Sequence, residues 1–294
     1  MTPHDYDFLR KCLKERSGLV LTADKEYLLE SRLLPVARKS GLATLGDLVA
    51  ALKSAADPSL MTEVVEAMTT NESFFFRDKV PFEHFRLTIM PALLEARRSA
   101  RAIRIWCAAA STGQEPYSLA MCLKDMEREV LGWRIEILAT DLSAEVLQKA
   151  RLGIYSQFEV QRGLPIQLLV KYFTRNGESW EIAPELRTMV RFRQLNLLAD
   201  FSQLGMFDVV FCRNVLIYFD TETKIDVLNR LARITAHDGY LLLGAAETVV
   251  GLTDRFKMLP DRRGLYAPNC DPPRPPHVDG AKAALRLVAI SGGR

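Results

Sequence analysis

The stretch AIRIWCAAASTGQEPYSLAMCLKDMERE, residues 102–129, decides the fold. Its first nine residues form a compact apolar run of strand length, and the segment from Pro116 onward has helical spacing. Between them lies a loop of small residues with a single glycine, Gly113. The same alternation recurs downstream. RIEILATD (134–141) reads as a strand followed by the helix SAEVLQKARLG, and FDVVFCRN (207–214) and GYLLLGAAE (239–247) read as strands flanking the helix TETKIDVLNRLARIT. Ser143 and Thr221 stand where helix N-caps belong. Short apolar strands alternating with helices predict a parallel sheet covered on both faces, a doubly wound α/β domain.

Outward from this frame the pattern changes twice. Residues 1–70 show only helical periodicity, as in LLESRLLPVARKSG and LGDLVAALKSA, with Gly41 placed as a C-terminal stop. Their charge is nearly balanced, but basic residues bunch between Arg32 and Lys39. Between Gly153 and Leu198 the α/β alternation breaks, and Asn176–Gly177 separates two strand-like stretches, which predicts a small antiparallel hairpin inserted in the frame. The expected division is a helical domain over 1–75, an α/β domain over 76–269 with an inserted β-subdomain at about 156–195, and a Pro-rich linker with a mobile tail over 270–294.

Composition narrows the function. The 294 residues are 48% hydrophobic and 26% charged, enough to bury a sizeable core. A net charge of +3 is too balanced for a protein built to neutralise a nucleic-acid backbone. No apolar run reaches the roughly 18–20 residues of a membrane span, and the start MTPHDYDFLR carries acids and no apolar core of signal-peptide type. The five cysteines include no C-x-x-C pair, and Cys107, Cys122 and Cys212 sit in apolar runs, so buried free thiols are expected. The four histidines show no metal-ligand spacing. A cytoplasmic, metal-free protein is expected, with no nucleic-acid partner and no membrane insertion.

Ligands of open parallel sheets bind beyond the strands' carboxyl ends, so the residues there are the candidates. The loop AAASTGQEPYS lets a ligand approach backbone N–H groups; equally, it suits a tight strand–helix packing turn. It is neither G-x-G-x-x-G nor a phosphate-binding P-loop. Asp141, closing the second strand, can accept both ribose hydroxyls of an adenosyl ligand, or can serve as an acid at a helix start. Glu115 has the same two readings. After the third strand come Arg213 and Asn214, facing the reacting end of a ligand. Ile217 and Phe219 are assigned to the core, and Tyr218 to packing or to an active-site wall. The N/D-P-P-Y/F element of amine-methylating enzymes is absent here. At the junction of the two domains, TTNESFFFRD (69–78) places three phenylalanines beside Arg77, whose charge needs an anionic partner from the chain, a ligand or a substrate.

TNESFFFRD, IWCAAASTGQEPYSLA, ILATDLS, FRQLNLL, FCRNVLIYF and LLLGAAE, in this order and at this spacing, resemble the chemotaxis receptor glutamate methyltransferases, the CheR family. The resemblance covers roughly residues 5–269. It implies a Rossmann-like S-adenosylmethionine (SAM)-dependent methyltransferase domain with an inserted antiparallel subdomain and an all-helical N-terminal domain. It also implies methyl transfer from SAM to receptor glutamates on cytoplasmic methylation helices, with S-adenosylhomocysteine as product. The ligand contacts it implies are Asn71, Ser73, Arg77, Glu115, Asp141, Asn196, Leu197, Cys212, Arg213 and Asn214, with Arg77 and Tyr218 at the transfer site. A glutamate, with a pKa near ~4.3, is already a nucleophile at neutral pH and needs no general base. Arg32, Arg38 and Lys39 are the candidates for meeting the acidic receptor helices, against the alternative of a solvated face. Some members dock a receptor's C-terminal pentapeptide tether on a longer hairpin; RNGESWEIAPEL looks shortened, so a tether-independent enzyme recruited to receptor arrays is expected. The rival readings are a SAM-dependent enzyme with another acceptor and a non-catalytic SAM-binding signalling module.

Overall fold

The computed structural model describes residues 2–22, 25–54 and 57–269; the expected linker and tail over 270–294 lie outside them. Four helices come first: α1 (Pro3–Ser17), α2 (Glu26–Lys39), α3 (Leu45–Ser54) and α4 (Pro58–Met68). Thr2 and Asp5 close a capping box at the start of α1, whose first residue is Pro3. Gly41 follows α2 with φ +74°, the left-handed conformation that ends a helix. The apolar stripes of these helices, including Leu9, Leu13, Leu29, Leu33, Leu48 and Val64, bury completely against one another. The helical domain therefore has a core of its own.

A bridging passage of α5 (Val80–His84), a π-helical turn (Phe85–Ile89) and α6 (Met90–Ala96) leads into the sheet domain. There β1 (Ala102–Ala108), α7 (Gln114–Asp125), β2 (Arg134–Asp141) and α8 (Ala144–Leu152) alternate as the sequence predicts. A small three-stranded antiparallel sheet follows, with β3 (Ile154–Ser156), β4 (Phe173–Asn176) and β5 (Ser179–Ile182) in the order β3-β5-β4. Short helices α9 (Gln157–Gln161), α10 (Ile166–Tyr172) and α11 (Pro184–Arg187) accompany it. The chain returns to the large sheet with β6 (Val190–Gln194), β7 (Phe207–Cys212), α12 (Thr221–Ile234), β8 (Thr235–Leu243), β9 (Phe256–Met258) and β10 (Leu265–Pro268).

The large sheet runs β6-β2-β1-β7-β8-β10-β9, with the first five strands parallel and β10 antiparallel to both neighbours. It is mixed at one edge, where the sequence suggested a parallel sheet throughout. Along β1, Ile103, Ile105 and Cys107 enter one core with Phe85, Tyr117 and Leu119. Trp106 and Ala108 enter the other, with Val227, Leu228 and Leu231 of α12. Burial on both faces is why these strands read as continuous apolar runs.

Three local expectations change. Val190–Gln194, placed by the sequence in the inserted region, pairs parallel with β2 in the large sheet. As an outer strand it keeps Arg191 and Arg193 in its pattern, so it reads like an alternating hairpin strand rather than a buried one. The N-cap of α12 is Asp220, not Thr221: its carboxylate accepts from the Thr223 N–H at 2.9 Å and also pairs with Lys14 of α1 at 2.6 Å. These partners hold the Asp220 carboxyl down at about 2. Finally, β8 ends at Leu243, so Gly244–Glu247 form a turn beyond the sheet.

Candidate functional site

Strand order reverses between β1 and β7, the switch point where open α/β sheets bind ligands. A cavity lies there. Ala109–Ser111 line it after β1, Asp141 and Leu142 after β2, Leu195–Leu197 after β6, and Arg213–Val215 after β7. The strap between the two domains contributes Asn71, Glu72, Ser73 and Arg77, and the helical domain adds Ser17 and Leu19. The cavity is thus walled by both domains, which also meet where the Val20 N–H donates to the Tyr218 carbonyl at 2.9 Å.

Backbone strain concentrates around this cavity. Of the eight non-glycine residues with positive φ among those described, Phe76, Asp78, Lys79, Ala109, Ser111 and Asn214 lie in the strap or in the loops after β1 and β7. Such conformations cost roughly 1–3 kcal/mol each and persist only where surrounding contacts over-determine them. The contacts are identifiable. Asp141 accepts from the Ser111 N–H at 2.8 Å and from the Ser143 N–H at 3.0 Å, tying the loop after β1 to the start of α8. Burial pushes its carboxyl up, against the pull of these N–H bonds. Gly113, with φ +94°, sits so close to Ala150, Tyr117 and Tyr155 that a Cβ would lie 3.0–3.2 Å from them. The Tyr155 hydroxyl, from the small sheet, donates to the Thr112 carbonyl at 2.8 Å.

The strap is held from two sides. Phe75 is fully buried, with its ring 5.0 Å from Tyr155 and 5.5 Å from Phe173 in edge contacts, so the small sheet buttresses it. From the large sheet, the Arg213 guanidinium reaches Glu115 at 2.8 Å, Asp78 at 2.7 Å and the Arg77 carbonyl at 3.0 Å. The Arg213 side chain is 1% exposed, so one buried cation joins β7, α7 and the strap. Burial pushes the Glu115 carboxyl up, and Arg213 opposes that shift.

Of the residues proposed from sequence, Asn71, Ser73, Arg77, Glu115, Asp141, Asn196, Leu197, Arg213, Asn214 and Tyr218 all line this one cavity. Cys212 does not: its side chain is wholly buried in the core shared with α12. Ile217, assigned to the core, is 42% exposed, whereas Phe219 is buried. Arg77 donates to the Glu72 carbonyl at 2.8 Å, and among the described residues no carboxylate pairs with it. The basic cluster on α2 is not a free face. Arg32 donates to the carbonyls of Met68 and Thr69 and to the Thr70 hydroxyl, capping α4 and holding the chain that enters the strap. Lys39 pairs with Glu63 at 3.1 Å, and Arg38 is exposed. Sequence reasoning missed Ser17, Leu19, Ser111, Asp78 and Glu247; only Asp78, next to Arg77, carried a local signal. Among the described residues no helix is long and apolar enough to cross a membrane, and no group of three or more His, Cys, Asp or Glu could hold a metal ion.

The profile described as "CheR methyltransferase, SAM binding domain" matches residues 71–265, and "CheR methyltransferase, all-alpha domain" matches residues 4–69. The chain belongs to the CheR methyltransferase family. A CheR relative, "Chemotaxis protein methyltransferase 1" of Pseudomonas aeruginosa, is 42% identical over 89% of this chain and 96% of its own length. "Chemotaxis protein methyltransferase Cher2" of Pseudomonas putida is 39% identical over the same shares. "Chemotaxis protein methyltransferase 1" of Vibrio cholerae is 40% identical over 88% and 94%. The match to the CheR SAM-binding domain begins at Asn71, a strap residue on the cavity wall.

The buried ion cluster predicts a pH-dependent penalty. Arg213→Met strands the Glu115 carboxylate and should destabilise the fold by about 3–5 kcal/mol at neutral pH. Glu115, whose folded-state pKa burial already raises, becomes neutral as pH falls through that value, so the penalty should shrink toward acid. Denaturant unfolding of wild type and variant across the acidic range measures this; a penalty independent of pH contradicts it.

Proposed function

We propose that this CheR-family chain transfers the methyl group of SAM to glutamate side chains of chemoreceptors, giving methyl esters and S-adenosylhomocysteine. The observation that carries this reading is Arg77. It is a cation on the cavity wall with no carboxylate partner among the described residues, and it shares that cavity with Asn214 and Tyr218. An unpaired cation beside an apolar cluster suits an anionic ligand group or an anionic substrate.

The residues present fit SAM. The Asp141 carboxylate accepts from the Ser111 and Ser143 N–H groups and lines the cavity, so it can still accept a ribose hydroxyl from within it. Leu142, Leu195 and Leu197 offer an apolar wall for an adenine ring, with Asn196 beside them. Asn71, Ser73, Arg213 and Asn214 contribute polar groups toward the other end, while Glu115 acts mainly through Arg213. When bound, SAM supplies an electrophilic methyl on a cationic sulfur; a glutamate oxygen forms the new bond to carbon as the carbon–sulfur electron pair returns to sulfur. The protein's own task is alignment. Arg77 orients the incoming carboxylate, and Tyr218 fixes its approach through a hydroxyl that makes no hydrogen bond among the described residues. Leu19, Leu142, Leu195, Leu197 and Phe219 give the cavity an apolar wall, which suits a reaction that removes charge from both partners. No residue need act as general base.

Receptor recognition falls to the helical domain in this reading, with Arg38 as the exposed cation and Arg32 and Lys39 engaged internally. The tight β4–β5 hairpin, with only Gly177 and Glu178 between its strands, supports docking without a C-terminal tether peptide and recruitment to receptor arrays through the methylation helices themselves.

The deciding experiment uses labelled SAM and a receptor cytoplasmic fragment lacking its C-terminal tail, followed by base treatment. Volatile methanol is the expected product; base-stable label would mean another acceptor, and label only on tailed receptor would restore the tether. Tyr218→Phe should lower kcat by about 10- to 100-fold with SAM affinity retained; unchanged turnover in steady-state assays removes Tyr218 from the mechanism. Arg38→Glu should raise the receptor KM several-fold, roughly the effect of one surface charge, and leave SAM binding unaltered by calorimetry. Equal losses in both would contradict a docking role.

A further inference from the structure

Four backbone N–H groups converge on one carboxylate beside the cavity. Glu247 Oε2 accepts from Asn214 at 2.8 Å and from Gly244 at 2.7 Å. Its Oε1 accepts from Val215 at 2.9 Å and from Leu216 at 2.8 Å. Three of these donors belong to the loop leaving β7, while Glu247 comes from the turn beyond β8, more than thirty residues later. Asn214 holds φ at +59°, a strained value that points three successive N–H groups the same way. Unmet, these donors would be partly buried without partners, a costly state.

The arrangement interlocks. A Cβ on Gly244 would lie 2.7 Å from the Asn214 side-chain nitrogen and 2.8 Å from Glu247 Oε2, so only glycine lets the two turns close on each other. Asn214, Val215 and Tyr218 line the cavity, and Glu247 does not. The Tyr218 N–H in turn donates to the Val215 carbonyl at 3.2 Å, which continues the set geometry to the tyrosine ring.

We infer that Glu247 is a positioning residue for methyl transfer: its carboxylate sets the turn that presents Asn214 and Tyr218 to the reacting end of the ligand and substrate. This rests on the methyl-transfer reading above. Asp141 and Asn196 lie at the other strand ends and keep their partners whatever happens at Glu247, so ligand binding and transfer should separate.

Glu247→Gln preserves the side chain's shape but places an amide N–H2 among the donors it must accept. Two measurements decide the outcome. Hydrogen exchange should show lost protection at Val215 and Leu216 while Val209–Phe211 in β7 remain protected. Kinetics should show kcat lowered at least about tenfold, with SAM affinity falling by much less because Asp141 and Asn196 keep their partners. Gly244→Ala, which presses on both Asn214 and Glu247 Oε2 while leaving the carboxylate's charge in place, should give the same kinetic split, and it serves should Glu247→Gln fail to fold. Unaltered exchange at 215–216 overturns the positioning role. Lost protection with wild-type kcat overturns its bearing on transfer. Equal loss of SAM affinity and kcat, with protection lost throughout β7, makes Glu247 a stability residue only and also overturns the inference. Absence of ester formation by wild type would defeat the functional reading, while the exchange measurement still judges the Glu247 loop.

Discussion

One buried guanidinium organises the cavity. Arg213 leaves the end of a central strand and binds two carboxylates and a carbonyl that come from an adjacent helix and from the strap between the domains. A charge this deep is tolerated only when it is paired and hydrogen-bonded. The pairing demand therefore runs in both directions: Arg213 needs Glu115 and Asp78, and Arg213 opposes the upward push that burial gives the Glu115 carboxyl. Because the partners lie on separate segments, satisfying one cation places three walls of the cavity at once.

The same device recurs with the opposite sign. Asp141 and Glu247 each spend their oxygens on backbone N–H groups of loops that would otherwise be strained and unsatisfied. The positive-φ residues of the strap and the post-strand loops are thus stabilised by charges at fixed positions rather than by regular structure. The helical domain and the small sheet complete the enclosure. Phe75 wedges between the small sheet and the large one, and Lys14, Arg16 and Val20 bring the first helix onto the cavity's far rim. A cavity so assembled is preorganised for alignment, which is what methyl transfer to an already ionised carboxylate requires.

Particular residues show how much of this was legible in the sequence. β1, β2 and β7 were readable because both faces are buried and their apolar runs leave no ambiguity. β6 was not, since an outer strand alternates and resembles a hairpin strand. Asp220 lost its cap assignment to the neighbouring Thr221 because both are good N-caps and only the chain path chooses between them. Of the ten candidate residues on the one cavity, seven come from the chain at or after strand ends, a position that topology assigns, while Asn71, Ser73 and Arg77 come from the strap between the domains. Cys212 was implied as a ligand contact by the family resemblance, yet alternation along a strand turns it into the core. Arg32 looked like part of a basic surface, but its reach to the end of α4 depends on how two helices pack.

The sequence by itself determined the classes of structure and chemistry: helical first, then α/β, with the motif order of the CheR family. Periodicity and motif spacing are local, and a single chain carries them. Only the tertiary structure decided which charges are spent holding the molecule together and which remain available. Arg213, Arg32 and Glu247 are consumed internally, whereas Arg77 faces the cavity with no ion-pair partner among the described residues. Ion pairs and backbone hydrogen bonds between residues tens to more than a hundred positions apart depend on distances of a few ångströms, and those distances exist only once the chain has folded.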